Sequence, residues 1–146
     1  MPPLRKKLVI SVLIADDHAV IRAGVRAILT SRNDIRVHEA SDGAEAVGKA
    51  LQLRPDVVIL DLTMPVMDGY AAALELRRLL PEIPVLFFSV HDEAQLVQDA
   101  KEVGARGFLK KSDAAYALLD AVDEVVTFKS TFFPETKATE DTHARV

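Results

Sequence analysis

The chain has 146 residues, of which 49% are hydrophobic and 27% charged, a balance typical of one folded domain that excludes a disordered or fibrous protein. Its net charge of −4 at pH 7 and its aromatic content of only 5% argue against a basic domain that binds nucleic acid. Because it has no cysteine, disulfides and thiolate metal sites are excluded, and the composition fits a reducing compartment.

The first apolar run, over residues 8–15, follows three basic residues, as the core of a signal peptide does. This run ends in Asp16 and Asp17, however, and no small-residue cleavage site follows it. It is also far shorter than the roughly 20 residues that a membrane-spanning helix needs. We therefore predict a buried strand here and expect a cytoplasmic protein that does not associate with a membrane.

Short β-rich runs and stretches of helical spacing then alternate along the chain. The runs predict strands over residues 8–15, 36–40, 56–60, 85–89 and 106–110. The stretches between them predict helices over about 19–30, 44–53, 69–80, 93–104 and from 114 onward. In the first helix, one apolar side is expected to comprise Val20, Ile21, Val25, Ile28 and Leu29.

Five successive β–α units favour an α/β fold with helices on both faces of the sheet. We expect a doubly wound, flavodoxin-like three-layer sandwich around a five-stranded parallel sheet of order 2-1-3-4-5. Residues 1–126 are expected to form this domain. From residue 127 the sequence turns polar and loses its periodicity, which predicts a C-terminal extension or linker-like tail over 127–146 and no output domain.

Folds of this kind bind ligands at the carboxyl edge of the sheet, beside the point where the strand order reverses. Polar residues follow the predicted strands at this edge. They are Asp16, Asp17, Asp61, Ser89, Lys110 and Lys111. Taken singly, each fits a helix cap or a solvated charge. Together, three carboxylates would repel one another unless a cation lay among them, and hard oxygen ligands suit Mg²⁺ or Mn²⁺. A lysine and a hydroxyl beside them favour phosphoryl transfer onto an aspartate over a purely structural cluster.

Four stretches carry a resemblance to a known family: LIADDHAVIRAGV from residue 13, PDVVILDLTMPVMDG from 55, PVLFFSVHD from 84 and GARGFLKKSD from 104. They resemble the receiver domain of response regulators in two-component signalling. The likeness covers about residues 8–126 and is greatest to receivers of transcription regulators with a helix-turn-helix output.

The resemblance implies a role for each polar residue at the sheet edge. Asp61 matches the phosphoryl acceptor. Asp17 matches a direct Mg²⁺ ligand and Asp16 one that acts through water, with Asp61 itself and the backbone carbonyl of Thr63 completing the protein ligands. Ser89 matches the hydroxyl that contacts the phosphoryl group.

The resemblance also bears on the lysines and on a switch position. Strand parity alone leaves Lys110 and Lys111 as alternatives for the ion pair, and the family's spacing from Gly107-Phe108 selects Lys111. Phe108 matches an aromatic switch residue that responds together with Ser89, although plain core packing explains it equally well. His18 is assigned no catalytic role.

The expected function is that of a phosphorelay receiver, which takes a phosphoryl group from a histidine kinase or phosphotransfer protein and switches a protein-binding face. It would catalyse its own phosphorylation and dephosphorylation without being a turnover enzyme. The downstream partner is an unknown protein; we expect no direct DNA binding by this chain, and either a monomer or a homodimer that depends on phosphorylation.

Two alternatives remain beside this expectation. The first is a phosphatase similar to the haloacid dehalogenases, but Thr63 stands where such an enzyme needs a second aspartate. The second is a pseudo-receiver that only binds a partner. A dinucleotide-binding domain is excluded, because no glycine-rich turn follows the first strand.

Overall fold

The structure is a computed structural model that describes residues 9–134. In this part of the chain, five strands and five α-helices alternate: β1 (Ile10–Ala15), α1 (Ala19–Leu29), β2 (Ile35–Ala40), α2 (Gly43–Leu53), β3 (Val57–Asp61), α3 (Gly69–Leu79), β4 (Val85–Ser89), α4 (Ala94–Glu102), β5 (Gly107–Lys110) and α5 (Ala114–Val126). A short 3₁₀ turn, Lys111–Asp113, joins β5 to α5.

The strands form one parallel sheet in the order β2-β1-β3-β4-β5, which confirms the predicted fold class and strand order. Ala15 lies beside Leu60, and Ser89 lies beside Lys110, so the strands end close to one another at the carboxyl edge. The residues that follow β1, β3, β4 and β5 therefore meet at this edge.

An apolar cluster covers each face of the sheet, because successive side chains of a strand point to opposite faces. Leu60 and Phe87 pack on one face against α2, α3 and α4, whereas Ile59 and Phe88 pack on the other against α1 and α5. All residues of β3 and β4 are buried, which explains why these strands read as continuous apolar runs.

Several predicted boundaries and one predicted face need correction. Strand β3 includes Asp61 instead of ending before it, so the backbone of this residue is fixed by the sheet. Of the side predicted to be apolar in α1, Val25 and Leu29 are buried as expected, whereas Val20 is 82% exposed and its placement there was wrong. Leu8, the first residue of predicted strand 1, and residues 135–146 of the predicted tail lie outside the described residues.

The chain beyond α5 returns to the free edge of β5. The amide of Phe108 donates to the carbonyl of Phe132 at 2.8 Å, and the amide of Phe132 donates to the carbonyl of Arg106 at 2.9 Å. Phe133 packs against the apolar cluster that contains Phe108, and Lys101 lies 5.0 Å from the centre of its ring. This segment thus covers an edge that would otherwise present unpaired backbone groups.

Within residues 9–134, none of the helices combines the length and the apolar character that crossing a bilayer requires.

Candidate functional site

A cavity of about 520 Å³ opens at the carboxyl edge of the sheet, and Asp17, Asp61, Ser89 and Lys111 are among the residues that line it. A second depression, of about 570 Å³, lies at the opposite end of the strands and is lined by residues that include Pro84. We place the candidate site in the first cavity, because buried charges meet there and because ligands of this fold class bind at the carboxyl edge.

Two buried carboxylates share one ammonium group at the base of this cavity. Asp16 is fully buried and Asp61 is only 6% exposed. The Nζ atom of Lys111 donates to Asp16 Oδ2 at 2.6 Å and lies 3.4 Å from Asp61 Oδ1. Sequence alone left two lysines as candidates for this position, and the structure puts Lys111 here, whereas Lys110 extends to within 3.9 Å of Asp92.

The pKa of Asp61 is raised above its ordinary value. Burial is the main cause and the negative charge of Asp16 adds to it, while Lys111 and a hydrogen bond from the Thr63 backbone lower the pKa in part. One ammonium shared with Asp16 therefore leaves the Asp61 carboxylate short of positive charge. A cation bound beside Asp61 would offset both the cost of burying its negative charge and the repulsion from Asp16.

Asp17 and His18 complete an acidic cluster at the mouth of the cavity. The amide of His18 donates to Asp16 Oδ1 at 2.9 Å, and His18 Nδ1 lies 3.2 Å from one oxygen of Asp16 and 3.2 Å from one of Asp17. One possible ligand atom from each of Asp16, Asp17, His18 and Asp61 falls within 4.8 Å of the others. The cluster thus offers the oxygen donors that a divalent cation such as Mg²⁺ requires.

The loop from β3 to α3 is shaped by close backbone approaches. A Cβ atom at Gly69 would collide with the backbone oxygen of Asp61, so only glycine fits there. Val66 adopts a left-handed backbone, with φ at 69°. Asp68 then caps α3 by accepting from the amide of Ala71 at 2.9 Å. These contacts fix the path of the chain directly after Asp61.

Ser89 and Phe108 sit differently with respect to the cavity. Ser89, at the end of β4, is 6% exposed and lines the cavity, and its Oγ accepts from the amide of His91 at 3.2 Å. Phe108 is 1% exposed and belongs to the apolar cluster on the α4 face. The structure therefore brings the predicted acceptor, metal and hydroxyl residues together and keeps the predicted switch residue in the core behind them.

Two further residues shape this site: Arg22, which sequence reasoning missed, and His18, to which it assigned no catalytic role. Arg22 donates through Nη1 to the backbone oxygen of Asp16 at 2.7 Å and pairs with Glu39 at 2.9 Å, so it braces the turn after β1. His18 turns its ring toward the acidic pair. Its position directly after Asp17 was a usable signal, whereas nothing in the sequence connects Arg22 with Asp16.

Comparisons with known proteins agree with this geometry. The family model "Response regulator receiver domain" matches residues 12–123. VraR, a response regulator protein of Staphylococcus aureus, is 36% identical over 129 residues, which are 88% of this chain and 62% of VraR. The chain thus spans about three fifths of the length of this curated relative.

Solved structures give the same result. A two-component response regulator of the LuxR family from Aurantimonas is 28% identical with a TM-score of 0.84, over 94% of this chain and 98% of that one. The response regulator RcsB of Salmonella typhimurium, at 23% identity, shares the fold with a TM-score of 0.81 over 88% of this chain and 65% of that one.

These comparisons correct one expectation about partners. The prediction of no direct DNA binding was wrong, because the similar proteins include a LuxR-family regulator and RcsB, whose structure was analysed for interaction with DNA. The prediction used the charge and aromatic content of a chain that spans only 62% of VraR. The composition of a stretch of this length does not exclude DNA from the partners of such regulators.

Proposed function

Because the chain belongs to the response regulator receiver domain family, whose general function is phosphorylation-based switching, we propose that Asp61 accepts a phosphoryl group from the phosphohistidine of a kinase or phosphotransfer protein. The observation that carries this proposal is the position of Asp61. It is a buried carboxylate at the end of β3, within reach of Lys111 and in a cavity shared with Ser89. Membership of this family disfavours both the phosphatase and the pseudo-receiver alternatives.

In the proposed reaction, an oxygen of the Asp61 carboxylate attacks the phosphorus atom. The bond from phosphorus to the imidazole nitrogen of the donor breaks, an acyl phosphate forms, and the leaving imidazole keeps the electron pair of the broken bond. Lys111 Nζ, 3.4 Å from Asp61 Oδ1, would pair with an oxygen of the arriving group, a role that this distance supports. Ser89 Oγ offers a hydrogen bond to another oxygen, so positioning and charge neutralisation provide most of the help.

We propose Mg²⁺ as the resident cation, with Mn²⁺ as an alternative. Asp17, Asp61 and the backbone carbonyl of Thr63 would hold it directly, and Asp16 would act through water. When bound, it supplies the positive charge that two buried carboxylates and one lysine lack. Asp16 meanwhile orients Lys111 through their 2.6 Å hydrogen bond, and Arg22 fixes the backbone of Asp16.

We further propose that Ser89 and Phe108 transmit the change. In the register of β4 and β5, Ser89 lies beside Lys110, which is two residues from Phe108 along β5. A displacement of Ser89 toward the phosphoryl group would therefore act on the strand that carries the ring. Phe108 is buried here, and the phosphoryl group would stabilise this inward position. The absence of cysteine fits the cytoplasm as the place of this reaction.

Labelling by a small phosphodonor tests the proposal. Incubation with acetyl phosphate and Mg²⁺ should label the protein on Asp61, and Asp61→Asn should abolish the label, because an amide cannot form the acyl phosphate. Peptide mapping by mass spectrometry reads out the site.

Asp68→Asn is the matched control, since Asp68 lines the same cavity but serves as a helix cap that an asparagine maintains. This variant should be labelled like the unchanged protein. Undiminished labelling of Asp61→Asn, or labelling of another residue in the unchanged protein, would refute Asp61 as the acceptor.

A further inference from the structure

Among residues 9–134, the ring of His18 is oriented only by the two aspartates beside it. This residue occupies the position before α1, yet its side chain makes no capping hydrogen bond. Its side chain is 67% exposed, so packing does not hold the ring either. The ring nevertheless turns toward the carboxylates, and Nδ1 lies 3.2 Å from Asp16 Oδ1 and 3.2 Å from Asp17 Oδ1.

The distance from His18 Nδ1 to Asp17 Oδ1 fits neighbouring positions around one metal ion. Two adjacent ligands of an octahedral ion, each at about 2.1 Å from it, lie about 3 Å apart. His18 Nδ1 lies 3.2 Å from Asp17 Oδ1, an oxygen proposed above as a direct ligand, and an oxygen of Asp61 is within 4.8 Å of both residues' ligand atoms. Carboxylates and an imidazole together form a donor set different from carboxylates alone.

We propose that His18 Nδ1 is a direct ligand of the cation at this site and makes the site prefer Mn²⁺ and later first-row ions over Mg²⁺. Mg²⁺ favours oxygen ligands and retains its water, whereas imidazole raises affinity for transition-metal ions. The inference rests on the proposed function only in using the same cation site, and it assigns to His18 the selection of the ion.

The variant His18→Ala distinguishes direct metal ligation from a purely electrostatic contact with the two aspartates. If His18 is a ligand, His18→Ala lowers the affinity for Mn²⁺ while that for Mg²⁺ changes little. If His18 only pairs electrostatically with the two aspartates, its removal frees their oxygens, and both ions bind as tightly as before or more tightly. A ligand role therefore predicts a fall in the ratio of Mn²⁺ to Mg²⁺ affinity, whereas a purely electrostatic role predicts that this ratio stays the same.

The experiment titrates the 146-residue chain with Mn²⁺, measures free Mn²⁺ by electron paramagnetic resonance, and obtains the Mg²⁺ affinity by competition. His18→Ala should weaken Mn²⁺ binding by at least about tenfold, the lower end of what disturbing a metal site costs. Pulsed electron paramagnetic resonance of bound Mn²⁺ should show coupling to a ¹⁴N nucleus in the unchanged protein and none in His18→Ala.

His91→Ala is the matched control, because His91 lines the same cavity but has its ring 3.4 Å from Glu93. This variant should keep both the nitrogen coupling and the ratio of affinities. The inference is overturned if the unchanged protein binds no Mn²⁺, if its bound Mn²⁺ shows no ¹⁴N coupling, or if His18→Ala leaves the Mn²⁺ to Mg²⁺ ratio unchanged.

Labelling with acetyl phosphate keeps this result distinct from the proposed function. Absence of nitrogen coupling in the unchanged protein, while Asp61 is still labelled in the presence of Mg²⁺, rejects the role of His18 and leaves the proposed function standing. Nitrogen coupling in a protein that is never labelled on Asp61 rejects phosphoryl acceptance and supports His18 as a ligand.

Discussion

Two regions of the molecule hold the same combination of charges, two carboxylates around one cation, and differ in how that cation is used. At the carboxyl edge, Lys111 is shared by Asp16 and Asp61. Near the opposite end, Arg32 is shared by Asp34 and Asp123, with contacts of 2.9 Å and 2.7 Å. The first trio is almost fully buried, and the second keeps about a quarter of each side chain exposed.

The shape of the cation explains the difference. The guanidinium of Arg32 forks onto both oxygens of Asp34 and reaches Asp123 with a third nitrogen, and these bonds raise the pKa of Arg32. Lys111 is a point charge that lies close to Asp16 and farther from Asp61, and burial raises the pKa of Asp61. The Arg32 trio is closed around its cation, because all three guanidinium nitrogens bond to the two carboxylates, although one buried oxygen of Asp123 has no hydrogen-bond partner among the described residues. The Lys111 trio borders the cavity and leaves unmet negative charge for a ligand.

The largest expected effect comes from removing the shared ammonium. Lys111→Ala leaves two buried carboxylates without a cation, and the free energy of unfolding should fall by about 3 kcal/mol. Added Mg²⁺ should restore much of this loss, because it replaces the missing charge. Urea unfolding with and without Mg²⁺ measures both effects.

Lys110→Ala serves as the control for that variant, since the 3.9 Å contact from Lys110 to Asp92 is exposed. Its unfolding free energy should stay within about 0.5 kcal/mol of the unchanged protein. Equal losses in both variants would contradict the assignment of the site lysine.

A smaller effect is expected at the closed trio. Arg32→Lys retains the charge but loses the planar guanidinium whose three nitrogens bind Asp34 and Asp123 together. The free energy of unfolding should therefore fall by about 1–2 kcal/mol. This loss should be the same with and without Mg²⁺, because the trio lies away from the cation site. If the loss of unfolding free energy in Arg32→Lys depends on Mg²⁺ in the same urea experiment, the proposed difference between the Arg32 and Lys111 trios is wrong.

The smallest effect is a pH-dependent gain in Asp61→Asn. Because the pKa of Asp61 in the folded protein lies above its ordinary value of 3.8, the folded state keeps this proton over a range where the unfolded chain has lost it. Stability of the unchanged protein therefore falls as pH rises from that value through the folded pKa. Asp61→Asn lacks this fall.

In the absence of Mg²⁺, the stability gain of Asp61→Asn over the unchanged protein should thus grow as pH rises through the folded pKa of Asp61 and then level off. Thermal unfolding across pH measures it, and Mg²⁺ should narrow the gap. A gap that shrinks as pH rises would mean that Asp61 is stabilised in its charged form.

The sequence predicted the fold and the neighbourhood of the site, because continuous apolar runs define the strands and parallel strands end at one edge. It predicted less well what depends on exact backbone paths. Val20 has the spacing of a core residue but lies in the first turn of α1, where its side chain is exposed. Arg22 reaches the backbone of Asp16 through a contact that only the folded turn creates.

The choice between Lys110 and Lys111 shows the same limit. Alternation along β5 does not reveal that the strand ends at Lys110 and that the 3₁₀ turn redirects the next side chain into the cavity. Only the resemblance selected Lys111, and only the structure gives the distances that make it a partner of both aspartates.

Structure determination with bound beryllofluoride, a mimic of the phosphoryl group, tests the central claim most directly. With Mg²⁺ present, we predict beryllium bonded to an oxygen of Asp61, with Lys111 Nζ and Ser89 Oγ in contact with its fluorine atoms. An adduct on any other residue, or a saturated sample in which Asp61 remains free, would contradict the account.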